Sequence, residues 1–243
     1  MPIIYEPRGK AKEYNDLAAN LYHGCDHGCT YRYAPSATYK TREAFGQVRN
    51  RPGIVEQIRK EAAAYKGREV LLCFTCDPYS SFAAGTGITR QAIEALHDGG
   101  AHVAILTKGG KRSMADFDLL TSVDKYGATL TFISDEDSHA WEPGAALPAE
   151  RIEALRQAKA RGITTWASFE PVIDPEQTLK LIEMTNGIVD IYKVGKWNHD
   201  KRAKEIDWVS FAARAKALLD RMGVEHMIKK DLAVYLADQA VAA

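Results

Sequence analysis

The sequence predicts a parallel α/β protein. Strand patterns and helix patterns alternate along the chain with a period of roughly 30 residues. Residues 69–75 and 102–107 are continuous apolar runs, which is typical of buried parallel strands. Helix patterns begin or end at residues suited to helix termini, such as Pro175 and Gly162. Alternating units of this kind imply right-handed crossovers and one parallel sheet, either open or curled into a barrel.

The strand predictions follow the apolar runs along the chain. Each run ends in polar or turn-forming residues, as strands do where loops begin. A polar loop is predicted after the fourth run, from Asp135 to Pro148. The predicted strands are 17–23, 69–75, 102–107, 128–134, 163–169, 188–194 and a short strand at 224–229.

The helix predictions fill the intervals between these strands. The pattern at 149–161 places Ile152, Leu155 and Ala158 on one face, as an amphipathic helix does. Thr89 is a candidate cap for the second helix. We see no domain boundary, and we predict a single domain over 1–243 with its core at about 17–200. The predicted helices are 52–66, 88–98, a segment around 113–121, 149–161, 175–185, 207–222 and 230–241, the last two being C-terminal helices over 207–241.

The composition narrows the class of protein. Hydrophobic residues make up 46% and charged residues 26%, which is ordinary for a soluble globular chain. The formal net charge is zero, so no global field attracts nucleic acid or an anionic membrane. No apolar run is long enough to span a bilayer, and the N-terminus lacks the apolar core of a signal peptide. With four cysteines in 243 residues, a disulfide scaffold is not indicated; we expect reduced thiols and a cytoplasmic location.

Two of the cysteines lie in one glycine-punctuated loop. The stretch 20–35 reads NLYHGCDHGCTYRYAP, with Cys25 and Cys29 each beside a glycine. The apolar residues before it predict that the loop begins where a strand ends, which is the edge at which parallel α/β proteins build sites. Two such thiols can wrap around a soft metal centre. The loop is therefore the first candidate for a functional site.

This loop resembles the cluster loop of radical S-adenosylmethionine (radical SAM) enzymes, in the branch similar to spore photoproduct lyase. The family signature is Cys-x3-Cys-x2-Cys with an aromatic residue before the last cysteine. Cys25, Cys29 and Tyr31 match it, while Arg32 stands at the third ligand position. The resemblance implies a partial (β/α)6 TIM-like barrel, a [4Fe–4S] cluster, and S-adenosylmethionine cleaved to a 5′-deoxyadenosyl radical that abstracts hydrogen. Arginine cannot ligate iron, because it stays protonated and offers only donors.

The same resemblance assigns residues that follow later strands. Thr75 and Asp77 lie in Thr-Cys-Asp-Pro-Tyr, which is similar to the family's second-strand motif, and a carboxylate there suits the amino group of S-adenosylmethionine. The resemblance places Tyr31 against the adenine and Arg151 at the methionine carboxylate. A turn cap and a surface arginine are the plain alternatives for Asp77 and Arg151. The remaining assignments are Ser134 and Asp135 near the ribose, and Glu170 and Val172 near the adenine.

Cys73 and Cys76 form a second pair. Residues three apart on a regular strand point to opposite faces, so we expect only one to face the interior. Cys76, at the strand end, is the candidate catalytic thiol and a candidate substitute for the third cluster ligand. Cys73 is expected to pack in the core. A structural zinc site made by all four cysteines is the alternative.

Three functions from different classes remain open at this point. The resemblance implies a radical enzyme acting on a nucleic-acid-like substrate, with flavodoxin or ferredoxin as electron donor. The second is a cluster-deficient binding protein in which Arg32 has removed the cluster, and the third is a zinc-stabilised structural module. Lys108, Lys193 and Lys196 with Trp197 predict a cationic mouth for a phosphate-bearing substrate, although a solvated rim explains these lysines equally well. No membrane partner is expected.

Overall fold

The computed structural model describes residues 2–240, with side chains as far as residue 237. Two short strands, β1 (Tyr22–His23) and β2 (Arg49–Asn50), pair antiparallel. Six further strands form one parallel sheet in the order of the sequence. They are β3 (Glu69–Leu72), β4 (His102–Thr107), β5 (Lys125–Thr129), β6 (Thr164–Val172), β7 (Ile191–Lys196) and β8 (Glu225–Ile228).

Helices connect the strands of this sheet. Over the described residues the helices are α1 (Ala34–Ala37), α2 (Arg42–Gly46), α3 (Ile54–Glu61), α4 (Ser81–Ala84), α5 (Ile88–Asp98), α6 (Asp135–Trp141), α7 (Pro148–Ala160), α8 (Pro175–Met184), α9 (Trp208–Met222) and α10 (Lys230–Ala240). The parallel α/β prediction is confirmed, and within residues 2–240 the sheet does not close into a full barrel. None of the helices in this range is long and apolar enough to cross a membrane.

The first predicted strand, 17–23, is divided into an extended segment at 17–19 and the short strand β1. Residues 17–19 run beside β3, with the Ala19 N–H donating to the Leu71 carbonyl at 3.0 Å. The pairing ends at Asn20, whose side-chain oxygen accepts from the backbone N–H groups of Phe74 and Thr75 at 2.9 and 2.8 Å. Because a side chain takes these donors, no further backbone ladder forms, and the chain turns into β1.

Several boundaries differ from the sequence prediction. The strand predicted at 128–134 is β5, which runs from Lys125 to Thr129. Because Lys125 and Gly127 are not typical strand residues, the prediction placed the strand too late in the sequence. The predicted polar loop after Asp135 is α6, capped by the Ser134 hydroxyl, which accepts from Asp137 N at 3.2 Å. The helix predicted around 113–121 is a 3-10 helix over Gly110–Asp116.

Three of the predicted helices are confirmed with nearly the predicted bounds. The predictions 149–161, 175–185 and 207–222 correspond to α7, α8 and α9 within one residue at each end. Thr89 does not cap α5, as the sequence suggested. Its hydroxyl donates to the Pro78 carbonyl at 2.7 Å, and the Thr86 hydroxyl accepts from the first N–H of the helix.

A close contact between two neighbouring strands shapes the interior of the sheet. Trp166 of β6 lies across Gly127 of β5, and a Cβ built on Gly127 would lie 2.3 Å from the indole ring. Trp166 is buried in a cluster with Ala18, Leu71 and Ala104. Only glycine leaves room for the ring here, which explains why a glycine lies in the middle of β5.

Gly127→Ala is expected to destabilise the protein by about 2 kcal/mol, because the new methyl must displace a buried indole. Urea unfolding monitored by tryptophan fluorescence measures the change. Gly46→Ala is the control, since a Cβ there meets no atom within 4 Å, and it should cause no loss of stability. Equal stability of the two variants would contradict the packing described here.

Candidate functional site

A cavity of about 510 Å³, here called the central cavity, opens at the carboxyl ends of the sheet strands. Loops after parallel strands meet at this edge, so distant residues converge there. Five sequence-predicted residues line it: Cys29, Tyr31, Cys76, Asp77 and Glu170. Cys73, Arg32, Lys108, Lys196 and Trp197 also line it, together with the N-terminal residues Arg8, Lys10 and Tyr14.

The fold of the cysteine loop, residues 24–32, depends on close backbone contacts. Gly24 has a φ of 85°, and a Cβ there would lie 2.2 Å from the Phe45 carbonyl oxygen. The next N–H, that of Cys25, donates to the same oxygen at 3.0 Å. Cys25 and Cys29 are both buried, with 3% of their surface exposed. The glycine therefore lets α2 pack directly against the loop.

Arg32 occupies the inner side of this loop. Its Nη1 donates to the Cys25 sulfur at 3.1 Å, and its Nη2 donates to the Thr75 carbonyl at 3.0 Å. Burial lowers the pKa of Arg32, but the nearby Cys25, Cys29 and Asp77 side chains carry it above its usual range. Burial raises the pKa of Cys25 to about 12, against the opposing effect of Arg32. Cys25 thus sits as a thiol beside a permanent cation.

Asp77 joins the turn after β3 to the turn after β4. One carboxylate oxygen accepts from the Thr107 hydroxyl at 2.6 Å and from Tyr79 N at 2.8 Å, and the other accepts from Lys108 N at 2.8 Å. The His27 ring lies 3.5 Å away. Burial raises the pKa of Asp77, but His27 and the three donors outweigh it and leave the pKa below its ordinary value. Asp77 is therefore ionised and lines the cavity.

Arg151 is committed to protein atoms and does not line the central cavity. It is 1% exposed and forms an ion pair with Glu142 at 2.5 Å. Its remaining donors reach the carbonyls of Ala146 and Thr129 at 2.7 and 3.1 Å. The Tyr31 hydroxyl donates to the same Glu142 carboxylate. Arg151 and Glu142 together fix the position of Tyr31, and the sequence had not identified Glu142.

The other predicted cofactor residues do not line the central cavity. Ser134 caps α6 and borders a different groove of about 810 Å³ beside α8 and α9, and Asp135 begins α6. Val172 is fully buried at the end of β6. The backbone of Thr75 is fixed by two side chains: its N–H donates to Asn20 and its carbonyl accepts from Arg32.

Cys73 and Cys76 both line the central cavity, which corrects the expectation that only one would. The expectation assumed a regular strand, but β3 ends at Leu72 and both cysteines lie in the turn. Burial raises the pKa of Cys73. For Cys76 burial acts in the same direction, but hydrogen bonds from Cys73 and the Tyr22 backbone, together with Arg32, bring the pKa below its ordinary value. Cys76 is the more acidic thiol of the pair.

No zinc-type site is assembled among the side chains described. Over this part of the chain, no group of three or more His, Cys, Asp or Glu side chains is arranged to hold a metal ion. His27 is buried, and burial lowers its pKa to about 4, with Asp77 opposing. In this structure the four cysteines are therefore not arranged as the four-thiolate site considered from the sequence.

A buried charge cluster in the cavity wall was not predicted. The Tyr14 hydroxyl and the Lys229 ammonium both donate to one oxygen of Glu170. Lys229 is 1% exposed and lies 3.1 Å from the centre of the Tyr14 ring. A Cβ on Gly195 would lie 2.8 Å from the Glu170 carboxyl carbon. Of this cluster, only Glu170 was identified, because Tyr14 precedes the strands and Lys229 follows the last one.

Three of the four residues considered for a cationic mouth lie at the central cavity, which does not decide between such a mouth and a solvated rim. Lys108, Lys196 and Trp197 line the central cavity. Lys193 does not, because its ammonium donates to the backbone carbonyls of Glu13 and Tyr14 at 3.2 and 2.6 Å. Burial, followed by the nearby Lys229, lowers the pKa of Lys193 to about 8. Lys193 therefore anchors the N-terminal segment.

Asp77→Asn is expected to lower the free energy of unfolding at about pH 7 by about 2 kcal/mol, because an amide cannot accept from all three donors. The folded-state pKa of Asp77 is depressed, so its contribution is present above the unfolded pKa of about 3.9 and is lost as pH falls through the folded value. Urea unfolding across this pH range should therefore show a shallower acid decline for the variant. Exposed Asp16→Asn is the control, and matching declines in the two variants would contradict this assignment.

Known proteins share both sequence and fold with this chain. A family model described as the radical SAM superfamily matches residues 19–186. An uncharacterized protein, ORF301, of Acidianus two-tailed virus is 29% identical over 187 residues, which cover 71% of this chain and 61% of that protein. The chain thus spans less than two thirds of that relative.

Solved structures with the same fold include two radical SAM proteins. Spore photoproduct lyase complexed with a dinucleoside spore photoproduct gives a TM-score of 0.63 at 16% identity, covering 86% of this chain and 63% of that one. SuiB of Streptococcus suis bound to S-adenosylmethionine gives 0.65 at 13% identity, covering 94% and 55%. These likenesses agree with the partial-barrel fold class. Since the family model covers more than half of the sequence, this chain belongs to the radical SAM superfamily.

Proposed function

We propose that this chain binds S-adenosylmethionine in the central cavity, and that it performs the reaction of its family, hydrogen abstraction from a substrate by a 5′-deoxyadenosyl radical, only where a further ligand completes the cluster. The observation that carries the proposal is the meeting of the cysteine loop and Asp77 at one cavity on the carboxyl edge of a parallel sheet. Ligand sites of α/β proteins are built at this edge. Family membership supplies the chemistry.

The central cavity suits an adenosyl amino acid in size and in chemistry. Its volume of about 510 Å³ lies within the usual range for small-molecule sites. Tyr31 and Trp197 offer aromatic faces for a purine. Asp77 and Glu170 offer carboxylates for an ammonium, and Lys108 offers a cation for a carboxylate. The neighbour SuiB binds S-adenosylmethionine on the same fold, which supports this proposal.

The proposed substrate is nucleic-acid-like. A structural neighbour, spore photoproduct lyase, is complexed with a dinucleoside photoproduct. The central cavity carries more cationic than acidic side chains, including Arg8, Lys10 and Lys196 at its rim, which suits a phosphate-bearing ligand. Cys76 remains the proposed catalytic thiol, because it lines the same cavity. Flavodoxin or ferredoxin remains the proposed electron donor.

The side chains present do not fit a three-thiolate [4Fe–4S] cluster, the group that supplies the electron in this superfamily. Such a site needs three cysteine ligands from one loop, whereas this loop offers Cys25 and Cys29 only. Arg32 holds the third position and donates to the Cys25 sulfur at 3.1 Å. The reaction therefore requires a further ligand, or it does not occur in this chain. Cys76 is the candidate ligand, and in that role it is a thiolate and not the catalytic thiol.

A second candidate function follows from the contact between Arg32 and Cys25. If no cluster assembles, the chain is a cluster-deficient member that binds S-adenosylmethionine or a related nucleotide without radical chemistry. The guanidinium then replaces iron as the partner of the loop sulfur. Both candidate functions include binding of S-adenosylmethionine or a related nucleotide, but only the first requires an iron–sulfur cluster. Nucleotide binding and iron content are therefore measured separately.

Leu106→Trp is expected to weaken S-adenosylmethionine binding by about tenfold or more, because this half-buried residue lines the central cavity and the indole would fill it. Equilibrium dialysis with labelled S-adenosylmethionine measures the dissociation constant. Leu147→Trp, at an exposed position before α7, is the matched control and should bind as the unaltered chain does. Binding unaffected by Leu106→Trp would rule out this cavity as the nucleotide site.

Anaerobic reconstitution with iron and sulfide should give fewer than four irons in the unaltered chain and about four in Arg32→Cys. The substitution supplies the third thiolate and removes the guanidinium from Cys25. Iron analysis with electron paramagnetic resonance of the reduced samples checks both outcomes. A complete cluster in the unaltered chain would show that another residue replaces the missing ligand. The double variant Arg32→Cys/Cys76→Ser is expected to hold as much iron as Arg32→Cys, because the third thiolate then comes from position 32.

A further inference from the structure

The cysteine loop is held to the rest of the protein by a cross-link that contains no metal. In a cluster protein, iron joins the sulfurs of such a loop and fixes its shape. Here Arg32 reaches two acceptors on different segments: the Cys25 sulfur at 3.1 Å and the Thr75 carbonyl at 3.0 Å. Its guanidinium carbon also lies 5.6 Å from the centre of the Phe45 ring. One side chain thus contacts the loop, the turn after β3, and α2.

The neighbouring contacts reinforce this cross-link. The carbonyl of Cys29, four residues after Cys25, accepts from Arg32 N at 3.3 Å and from the Arg42 side chain at 3.1 Å. The N–H of Cys25 donates a hydrogen bond to the Phe45 carbonyl, so Cys25, the residue that Arg32 contacts, is itself held against α2. Planar guanidinium groups suit this arrangement, because their donors diverge and can serve two acceptors at once.

The same contacts oppose metal binding at these thiols. A guanidinium that donates to the Cys25 sulfur covers the atom that would ligate iron. It also fills the place of the third ligand without offering a lone pair, because a guanidinium carries only donors. Arg32 therefore both replaces the mechanical role of a cluster and disfavours its assembly.

We propose that Arg32 is a structural substitute for the cluster, which keeps the cysteine loop folded against the turn after β3 in the metal-free protein. The loop then shapes the central cavity without iron, since Cys29 and Tyr31 line that cavity from the loop. This inference concerns the metal-free chain and does not depend on S-adenosylmethionine binding, so it can fail or hold independently of the proposed function.

Hydrogen–deuterium exchange on chelator-treated protein tests the inference. We expect the amides of residues 24–32 and 42–47 to exchange slowly in the unaltered chain and about tenfold or more faster in Arg32→Ala, while the amides of β5 and β6 keep their rates. Arg32→Lys should lie between the two, because one ammonium cannot span both acceptors. Arg59→Ala, at an exposed position on α3, is the matched control and should leave the loop unchanged.

Arg32→Cys gives the complementary measurement. Its loop should exchange fast when metal-free and slowly again after anaerobic reconstitution with iron and sulfide, because the cluster then restores the cross-link. Slow loop exchange in metal-free Arg32→Ala would overturn the proposal, as would a loop in the unaltered chain that is protected only after iron is added. If all amides of Arg32→Ala exchange fast, that variant is unfolded and Arg32→Lys is the deciding variant. Loop amides of Arg32→Lys that exchange as slowly as those of the unaltered chain would also overturn the proposal.

Discussion

The ionised carboxylate of Asp77 is the contact on which the architecture of the site depends. It receives hydrogen bonds from Thr107 and Lys108 at the end of β4 and from Tyr79 in its own turn. His27 of the cysteine loop lies against it. Three segments that are distant in sequence are therefore held around one buried charge. A buried carboxylate persists only where several donors compensate its desolvation, so the fold must keep these donors in place.

A second buried charge system supports the wall of the central cavity at Tyr31. Glu142 pairs with Arg151 and accepts from Tyr31, which fixes the aromatic residue of the cysteine loop. Glu170 accepts from Tyr14 and Lys229 and so ties the N-terminal segment to the residue that follows β8. Each carboxylate satisfies groups of the protein itself. The polar residues at the strand ends thus build the walls of the site as well as offering groups to a ligand.

Arg32 distinguishes this cysteine loop from the cluster loops of the family. The fold and the family are those of proteins that place iron at this position, yet the residue present is a cation that binds sulfur by hydrogen bonding. The loop keeps its place through Phe45 and Thr75, not through a metal. Family membership and the chemistry of this chain are therefore separate questions, and the guanidinium is the feature that separates them.

Sequence reasoning succeeded where local chemistry decides the outcome. Regular amphipathic helices such as α8 and α9 were placed within one residue, because their periodicity and terminal residues are local signals. It failed at β5, whose glycine is required by the Trp166 ring of the neighbouring strand. It failed also at Cys73, because the end of β3 depends on where Asn20 takes its backbone donors. Contacts of this kind involve residues far apart in the chain and leave no local pattern.

The sequence by itself determined the alternation of strands and helices, the family of the cysteine loop, and the absence of a third thiol at Arg32. The tertiary structure alone decided which side chains face the central cavity. Asp77 and Cys76 face it, whereas Arg151 and Lys193 are turned to protein atoms. The physical reason is that a charged side chain goes to the nearest partner able to compensate its desolvation, and that partner is chosen by the packing of the whole sheet.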